Sequence, residues 1–255
     1  MTDPTAEERQ NGLELAGKVV LVTGSSSGIG EAIARLAAGR GARVVVNSAR
    51  SVEAGEKVAA ELPGALYVQA DIASPEDSER LIEAALEGQG RLDHLINNAG
   101  TTAVIPHDDF DALTPEVWRR ILDVNLLGTF FLSRAALPAL HEASGSIVNI
   151  TSIAGLRQVG SSIPYAVSKA ALNHLTRLMA NQVGPEVRVN AVAPGLIATP
   201  WTADWDEVHA TVAEQAPLRR SGRPEDVAMA CLGLLTSEYA TGQVLAVDGG
   251  LTLRG

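Results

Sequence analysis

Short apolar runs alternate with amphipathic segments along most of the chain. Seven such runs are rich in Val, Ile, Leu and Ala, and the first, Lys18-Val-Val-Leu-Val22, is a continuous apolar run of the kind typical of parallel strands covered on both faces. Between them, Ser74-Pro75 and Thr114-Pro115 are helix-start signals, because a hydroxyl side chain precedes proline at the first helical position. The predicted strands are residues 18–22, 43–47, 66–70, 92–96, 146–150, 187–192 and 242–247.

This alternation predicts an α/β fold, a doubly wound sheet of about seven parallel strands with helices on both faces. Ligands bind such sheets at the carboxyl ends of the strands, so the loops after the strands are the candidate sites. No repeat or linker divides the chain. We expect a disordered N-terminal tail at residues 1–14 and a single domain at residues 15–255.

A glycine-rich loop, Thr23-Gly-Ser-Ser-Ser-Gly28-Ile-Gly30, joins the first strand to a helix. Glycines let the backbone approach a pyrophosphate, whose charge meets the free N–H groups at the helix start. The spacing is GxxxGxG instead of the common GxGxxG, and a plain glycine-rich turn is the alternative. The dinucleotide contacts predicted here are Gly24, Ser26, Ser27, Gly28, Ile29 and Gly30.

The second strand ends in Asn47-Ser48-Ala49-Arg50, with no carboxylate. An acidic residue at this place accepts hydrogen bonds from the ribose of NAD, whereas a nearby arginine suits the 2′-phosphate of NADP. Neutral Asn47 and Ser48 beside Arg50 therefore favour NADP(H), with NAD(H) still possible. An ordinary solvated role for Arg50 is the alternative.

Two further strand ends carry polar residues at the same edge. Asp71-Ile72 follows the third strand, where it is placed to contact an adenine edge. The turn Asn97–Gly100 follows the fourth strand, and its asparagines either cap the turn or contact a cofactor. Trp201 and Trp205 belong to the segment that should cover a substrate, and they either line a pocket or pack a lid.

Ser152 follows the fifth strand, and Tyr165 and Lys169 are four residues apart in the next predicted helix. Residues at this spacing share one helix face. An adjacent ammonium favours the phenolate, so we expect Lys169 to lower the pKa of Tyr165 and make the pair suitable for acid/base chemistry. Ser152 is placed to donate a hydrogen bond to an oxygen that gains negative charge. The pair alone is also typical of an amphipathic helix with a solvated lysine.

Asn125 lies in the middle of a predicted helix among apolar neighbours. A buried amide needs hydrogen-bond partners. Asn125 is therefore either a satisfied core residue or part of the site.

Composition narrows the class of protein. A net charge of −10 argues against nucleic acid or an anionic membrane as partner. The single cysteine, Cys231, lies in an apolar helical run and fits a reducing compartment. We find no stretch resembling a transmembrane helix and no signal peptide, so a cytoplasmic protein is expected. The five histidines lack metal-ligand spacing, and no metal site is predicted.

Together these motifs resemble the short-chain dehydrogenase/reductase family over about residues 15–250, with similarity to 3-oxoacyl-carrier-protein reductases and glucose dehydrogenases. The residues that carry the resemblance are Thr23–Gly30, Asp71-Ile72, Asn97–Gly100, Asn125, Ser152, Tyr165 with Lys169, and Pro194-Gly195.

The resemblance implies a Rossmann-like domain and an NAD(P)-dependent oxidoreductase that transfers hydride between its cofactor and a small-molecule carbonyl or alcohol. It implies that Tyr165 is the general acid/base, that Ser152 positions the substrate oxygen, and that Asn125 anchors a water in a proton relay. Lys169 would lower the tyrosine pKa and hold the nicotinamide ribose. A homotetramer, built through the two helices that carry Asn125 and Tyr165, is also implied. The further cofactor contacts implied are Asn98, Ala99, Gly100, Tyr165, Lys169, Pro194, Gly195, Ile197 and Thr199.

Ser27 departs from the family pattern, because many NADP-dependent relatives carry arginine there, and this puts more weight on Arg50. The expected reaction is NADPH-dependent reduction of a 3-oxoacyl, cyclic or polyketide-like ketone, or its reverse. The alternatives are an NAD-dependent alcohol or sugar dehydrogenase and a non-catalytic NADPH-sensing binding protein.

Overall fold

The structure is a computed structural model that describes residues 14–254. Residues 1–13 of the predicted tail lie outside the described residues, whereas Glu14 pairs with Arg40 of the domain at 2.8 Å. The strands are β1 Val19–Val22, β2 Arg43–Ser48, β3 Leu66–Gln69, β4 His94–Asn97, β5 Ser146–Ile150, β6 Arg188–Pro194 and β7 Val244–Val247. The helices are α1 Gly28–Gly39, α2 Val52–Glu61, α3 Pro75–Gln89, α4 Pro115–Leu122, α5 Thr129–Ala143, α6 Ile163–Val183, α7 Asp206–Gln215 and α8 Pro224–Thr236.

The seven strands form one parallel sheet in the order β3-β2-β1-β4-β5-β6-β7, which confirms the predicted doubly wound architecture. The chain passes outward from β1 through β2 to β3 and then returns to β4 on the other side of β1. The strand order therefore reverses between β1 and β4, and a crevice opens at their carboxyl ends.

The core lies on both faces of the sheet, because successive strand residues point to opposite sides. Val20 and Val22 of β1 pack in a cluster with residues of α1 and α8. Val19 and Leu21 pack on the other face with residues of α3 and α5. Each such side chain contributes roughly 1.5–3 kcal/mol when fully buried. Because helices cover both faces of the sheet, side chains on both sides of each strand are buried, which explains why the strands are rich in apolar residues.

The predicted helix starts are confirmed by their capping hydrogen bonds. Ser74 Oγ accepts from the Asp77 N–H at 3.0 Å, and proline follows it at the first helical turn. Thr114 caps α4 in the same manner. Two helices were not predicted, α2 and α7. Gly55 lies inside α2, and glycine in a helix interior costs about 1 kcal/mol relative to alanine, which weakens the local signal.

The helical stretch Pro115–Ala143 differs from expectation in two ways. Its centre, Asp123–Gly128, is a π-helical segment that joins α4 to α5. By length and composition alone the whole stretch is apolar enough to cross a membrane, contrary to the sequence expectation. Here it packs against α3 and α6 and buries Leu132 in the core, so its apolar character serves the fold.

Candidate active site

A large cavity runs along the carboxyl edge of the sheet. Its volume is about 1930 Å³, and its lining extends from the loop before α1 to α7. Pockets for one drug-sized ligand usually measure roughly 300–1,000 Å³. The cavity therefore has room for a dinucleotide and a second ligand together. We call the part lined by residues 24–29, 47–51 and 70–72 the cofactor end, and the part lined by residues 102–107, 157–161 and 201–215 the substrate end.

The glycine loop forms the floor of the cofactor end. Gly24 and Gly28 have φ angles of +60° and +58°, the left-handed region that favours glycine. A Cβ at Gly24 would lie 3.0 Å from the Cα of Ala99. Gly30 differs from the prediction, because it is buried and does not line the cavity. A side chain at Gly30 would overlap the Gly24 carbonyl, so this glycine permits close packing.

Asn98 ties the glycine loop to the turn after β4. Its Nδ2 donates to the carbonyl oxygens of Thr23 at 2.9 Å and Gly24 at 3.1 Å, and its backbone N–H donates to Thr23 Oγ1 at 3.0 Å. These bonds cross the point where the strand order reverses. The Asn98 amide thus braces the turn, while Ala99 and Gly100 line the cavity beside it.

Two residues at the end of β2, Asn47 and Arg50, differ in what their side chains contact. The Asn47 amide is buried, with Nδ2 donating to the carbonyls of Val68 and Ala70 at 3.1 Å and Oδ1 accepting from the Gly24 N–H at 3.4 Å. Its side chain therefore holds the loop in shape and has no N–H left for a ligand, although Asn47 lines the cavity and its predicted role as a cofactor contact stays a prediction. The guanidinium of Arg50 is exposed at the cavity and has no hydrogen-bond or ion-pair partner within residues 14–254.

Ser152, Tyr165 and Lys169 all line the same cavity. Ser152 follows β5, and its Oγ accepts from the Ala154 N–H at 3.1 Å, which leaves its O–H free to donate. Tyr165 lies in the first turn of α6, one turn before Lys169. Lys169 Nζ is 5.8 Å from the centre of the Tyr165 ring and donates to the Ile150 carbonyl at 2.8 Å. The predicted shared helix face is confirmed.

The pKa of Tyr165 differs from the expected direction. Burial raises the pKa of the phenol, and a hydrogen bond with Ser152 acts in the opposite direction. Burial also lowers the pKa of Lys169 to about 8. Desolvation penalises the charged form of both groups and is the largest cause of both shifts, so the pKa of Tyr165 moves opposite to the direction that the four-residue spacing suggested. A protonated phenol at neutral pH is a proton donor.

Asn125 is fully buried and does not line the cavity. Its Oδ1 accepts from the Thr101 N–H at 2.8 Å, and its Nδ2 donates to the Thr101 carbonyl at 2.9 Å and to Ser168 Oγ at 3.0 Å. Ser168 Oγ in turn donates to the Tyr165 carbonyl at 2.7 Å. The Asn125 side chain thus connects the turn after β4 to α6. Its position in a π-helical segment is one that functional residues often occupy.

The substrate end contains residues that the sequence did not single out. Thr102 Oγ1 lies 2.6 Å from Ser161 Oγ, which joins the loop after β4 to the loop before α6. Arg157 Nη1 donates to the carbonyls of Thr252 at 2.8 Å and Arg254 at 2.7 Å, and so holds the C-terminal turn on the cavity wall. These contacts join segments up to 97 residues apart, and no local pattern indicates them. Trp201 and Trp205 both line the cavity.

Two histidines and the single cysteine are held by burial or by hydrogen bonds within the fold. His94 is buried with Nδ1 2.9 Å from Ser146 Oγ, and burial lowers its pKa to about 4. Cys231 is buried, and burial raises the pKa of its thiol. His209 connects α7 to its surroundings through Ser221 Oγ at 2.7 Å and the Thr202 carbonyl at 3.1 Å.

The cofactor end fits a nicotinamide dinucleotide. Its glycines leave backbone exposed where side chains would fill the floor. The N-terminus of α1 points at this floor, and the side chain of its N-cap residue, Ser27, makes no capping hydrogen bond in the described chain. The unpartnered guanidinium of Arg50 lies at the far edge. Together they offer N–H donors to phosphate groups. The family model described as Enoyl-(Acyl carrier protein) reductase matches residues 24–252. The chain belongs to the short-chain dehydrogenase/reductase family.

Individual relatives agree with this assignment. A Streptomyces violaceoruber protein named "Granaticin polyketide synthase putative ketoacyl reductase 2" is 59% identical over 239 residues, which cover 92% of this chain and 96% of that protein. The 3-oxoacyl-[acyl-carrier-protein] reductase FabG of Thermotoga maritima is 37% identical over 254 residues, which cover 94% of this chain and 100% of that protein. A solved short-chain dehydrogenase/reductase of Brucella melitensis superposes with a TM-score of 0.88 at 33% identity, covering 93% of this chain and 98% of that chain.

These matches confirm the predicted family, the Rossmann-like fold and the enzyme class. The short-chain dehydrogenase/reductase described here is an oxidoreductase that uses a nicotinamide cofactor and a small-molecule substrate.

Proposed function

We propose that this enzyme reduces a ketone on a 3-oxoacyl or polyketide-type chain with NADPH as the hydride donor. The observation that carries the proposal is the joint placement of Ser152, Tyr165 and Lys169 on one cavity wall, beside a floor that suits a dinucleotide. The 59% identity to a protein named as a polyketide ketoacyl reductase supports this substrate class.

In the proposed reaction Ser152 and Tyr165 hold the substrate carbonyl oxygen. The bound nicotinamide supplies a hydride to the carbonyl carbon. Negative charge then develops on the oxygen, where the O–H of Ser152 donates a hydrogen bond and the phenol of Tyr165 delivers the proton. Carbonyl, hydride and proton together give a secondary alcohol. Lys169 returns a proton towards the phenolate, a role suited to a group whose pKa lies at about 8.

Asn125 acts in this scheme through the fold. Its amide fixes the turn that contains Thr101, and through Ser168 it fixes the backbone of Tyr165. We propose that it is a positioning residue for the phenol. The role of Asn125 as a water anchor stays a prediction; its backbone carbonyl oxygen accepts from Thr129 Oγ1 at 3.2 Å and keeps a second acceptor site.

The substrate end favours a ketone chain over a sugar. Among the relatives is an L-fucose dehydrogenase of Bos taurus at 35% identity and a glucose 1-dehydrogenase of Bacillus subtilis at 36%. A polyhydroxylated sugar needs many polar partners. The apolar side chains on this wall suit the hydrocarbon part of an acyl chain, and polar side chains such as Gln158, Asp204 and Gln215 line the cavity beside them. The apolar ones are Val104, Ile105, Trp201, Trp205, Val208 and Val212.

Preference for NADPH over NADH is the finer part of the proposal. β2 ends without a carboxylate, so nothing there repels a 2′-phosphate. Ser48 and the unpartnered Arg50 line the cavity at this place. A guanidinium is a strong phosphate partner because it offers several N–H donors in one plane.

We further propose a homotetramer formed through α5 and α6, working in the cytoplasm with residues 15–255 as the catalytic unit. Four large apolar side chains on the helices of this face are exposed, which supports association with further copies of the chain. They are Leu127, Phe130, Val167 and Leu178. Light scattering after gel filtration tests the assembly, and a monomeric mass would contradict it.

The reaction is tested with the purified full chain and a panel of carbonyl compounds, read by the loss of NADPH absorbance. We expect turnover of a 3-oxoacyl thioester and a bicyclic ketone, and slower turnover with NADH. Oxidation of L-fucose or glucose with NAD, without ketone reduction, would show the sugar dehydrogenase instead. Tight NADPH binding with no turnover of any compound would favour the non-catalytic binding protein.

A further inference from the structure

Tyr67 lies directly behind the end of β2. Its phenol oxygen is 2.9 Å from Ser48 Oγ, across the parallel pair formed by β2 and β3. Ser48 lines the cavity with only 4% of its surface exposed, whereas Tyr67 does not line this cavity. Tyr67 therefore reaches the cofactor end only through the Ser48 hydroxyl.

The direction of this hydrogen bond follows from acidity. A phenol, with a pKa of about 10, is a far better donor than an aliphatic alcohol. This difference in acidity favours Tyr67 as the donor and Ser48 Oγ as the acceptor. Ser48 Oγ has no second hydrogen-bond partner in the described part of the chain. Its own proton is therefore left to point at the cavity, where an acceptor on a ligand would meet it.

The surroundings hold this arrangement in place. Gly55 of α2 faces the Tyr67 ring, and a Cβ at this glycine would overlap ring carbons Cε2 and Cδ2. The neighbouring Asn47 has both amide hydrogens engaged with β3 carbonyls and cannot replace Ser48 as a donor. Ser48, Arg50 and the following Ser51 are left as the side chains after β2 with N–H or O–H groups available in the described chain.

We propose that Tyr67 is a positioning residue that orients the Ser48 hydroxyl as a donor to the ribose 2′-phosphate of NADP(H). The inference rests on the proposed NADP(H) preference and extends it to a residue outside the cavity. A hydroxyl already accepting from a phenol is a stronger donor, because hydrogen bonds in a chain polarise one another. A doubly charged phosphate gains more from it than a ribose hydroxyl does.

The test is calorimetric titration of the full chain with 2′,5′-ADP, which carries the 2′-phosphate, and with 5′-AMP, which lacks it. Tyr67→Phe keeps the ring against Gly55 and removes only the hydroxyl. We expect its affinity for 2′,5′-ADP to fall about three- to tenfold, the range of one hydrogen bond between neutral groups such as these two hydroxyls, with 5′-AMP affinity unchanged. Thermal unfolding of both proteins checks that the variant is folded.

A double-mutant cycle separates the proposed path from a general effect. Ser48→Ala should also weaken 2′,5′-ADP binding, and Tyr67→Phe should add nothing in the Ser48→Ala background, because it acts through that hydroxyl. A Tyr67→Phe loss that persists in this background, or an equal loss for 5′-AMP, would overturn the proposal. Wild-type protein that binds both nucleotides equally would overturn it together with the NADP(H) preference. The titrations measure binding and no turnover, so their outcome does not bear on the proposed ketone reduction.

Discussion

The two ends of the cavity are built differently. At the cofactor end the loops are short and are held by amide side chains. Asn47 bonds the glycine loop and the Val68–Ala70 segment, and Asn98 Nδ2 donates to two carbonyls of the glycine loop. At the substrate end longer loops meet through contacts such as the two hydrogen bonds of Arg157 with the C-terminal turn. Apolar side chains stay exposed there, with Val104 at 69% and Trp201 at 50% of their surface.

The difference corresponds to two tasks. A dinucleotide has the same shape in every family member, so a preformed floor lowers the ordering cost of binding it. Substrates differ between relatives, and binding specificity usually resides in surface loops on a rigid scaffold. The proposed catalytic residues lie where the two ends meet. Changes at each end should therefore alter different kinetic constants.

The largest effect on the rate is expected at Tyr165, where the cofactor end and the substrate end of the cavity meet. Tyr165→Phe removes the proton donor but keeps the ring, so ketone reduction should fall by about 10²–10⁴. Affinity for NADPH, measured by fluorescence titration, should stay close to that of the wild type. Substantial activity in this variant would show that the phenol is not the acid.

The cofactor end is tested next by Arg50→Ala. A charge-assisted hydrogen bond contributes about 1.5–3 kcal/mol, so the KM for NADPH should rise roughly 10- to 100-fold while that for NADH changes little. Arg134→Ala is the matched control, because Arg134 lies on α5 outside the cavity. An equal rise for both cofactors would mean that Arg50 does not contact the phosphate.

The pH dependence of the two reaction directions should differ. Because burial raises the pKa of Tyr165, the phenol stays protonated through neutral pH, and reduction should not decline between pH 6 and 8, a span that lies below the usual tyrosine pKa of about 10. Alcohol oxidation needs the phenolate, so its rate should rise with pH, by up to about tenfold per unit. Initial rates across this range check the prediction. A loss of reduction already below pH 7 would contradict a raised tyrosine pKa.

The smallest effect is expected at the substrate end. His209→Phe removes both bonds that connect α7 to the Thr202 and Ser221 segments, and should raise the KM for ketones about three- to tenfold, the range of one or two hydrogen bonds. The KM for NADPH should not change. Thr211→Ala, on the exposed side of α7, is the control. If both KM values rise together, the two ends are not separable.

Much of the fold was predictable because its signals are local. Strands buried on both faces are continuous apolar runs, and the cap at Ser74 depends on residues within one helical turn. The bounds of β5 agree at both ends with the predicted strand. α2 and α7 were missed because their sequences carry weaker patterns. The motifs at the strand ends likewise predicted residues that line the cofactor end.

The sequence by itself determined which residues stand at the carboxyl ends of the strands, and the spacing that puts Tyr165 and Lys169 on one helix face. Only the tertiary structure decided what their atoms do. The Asn47 amide is used by β3 carbonyls 21 and 23 residues away, and the Asn125 amide by Thr101 and Ser168. The direction of the Tyr165 pKa is a tertiary property for the same reason. Burial depends on segments distant in the chain, and its desolvation cost here exceeds the opposing effect of the hydrogen bond with Ser152.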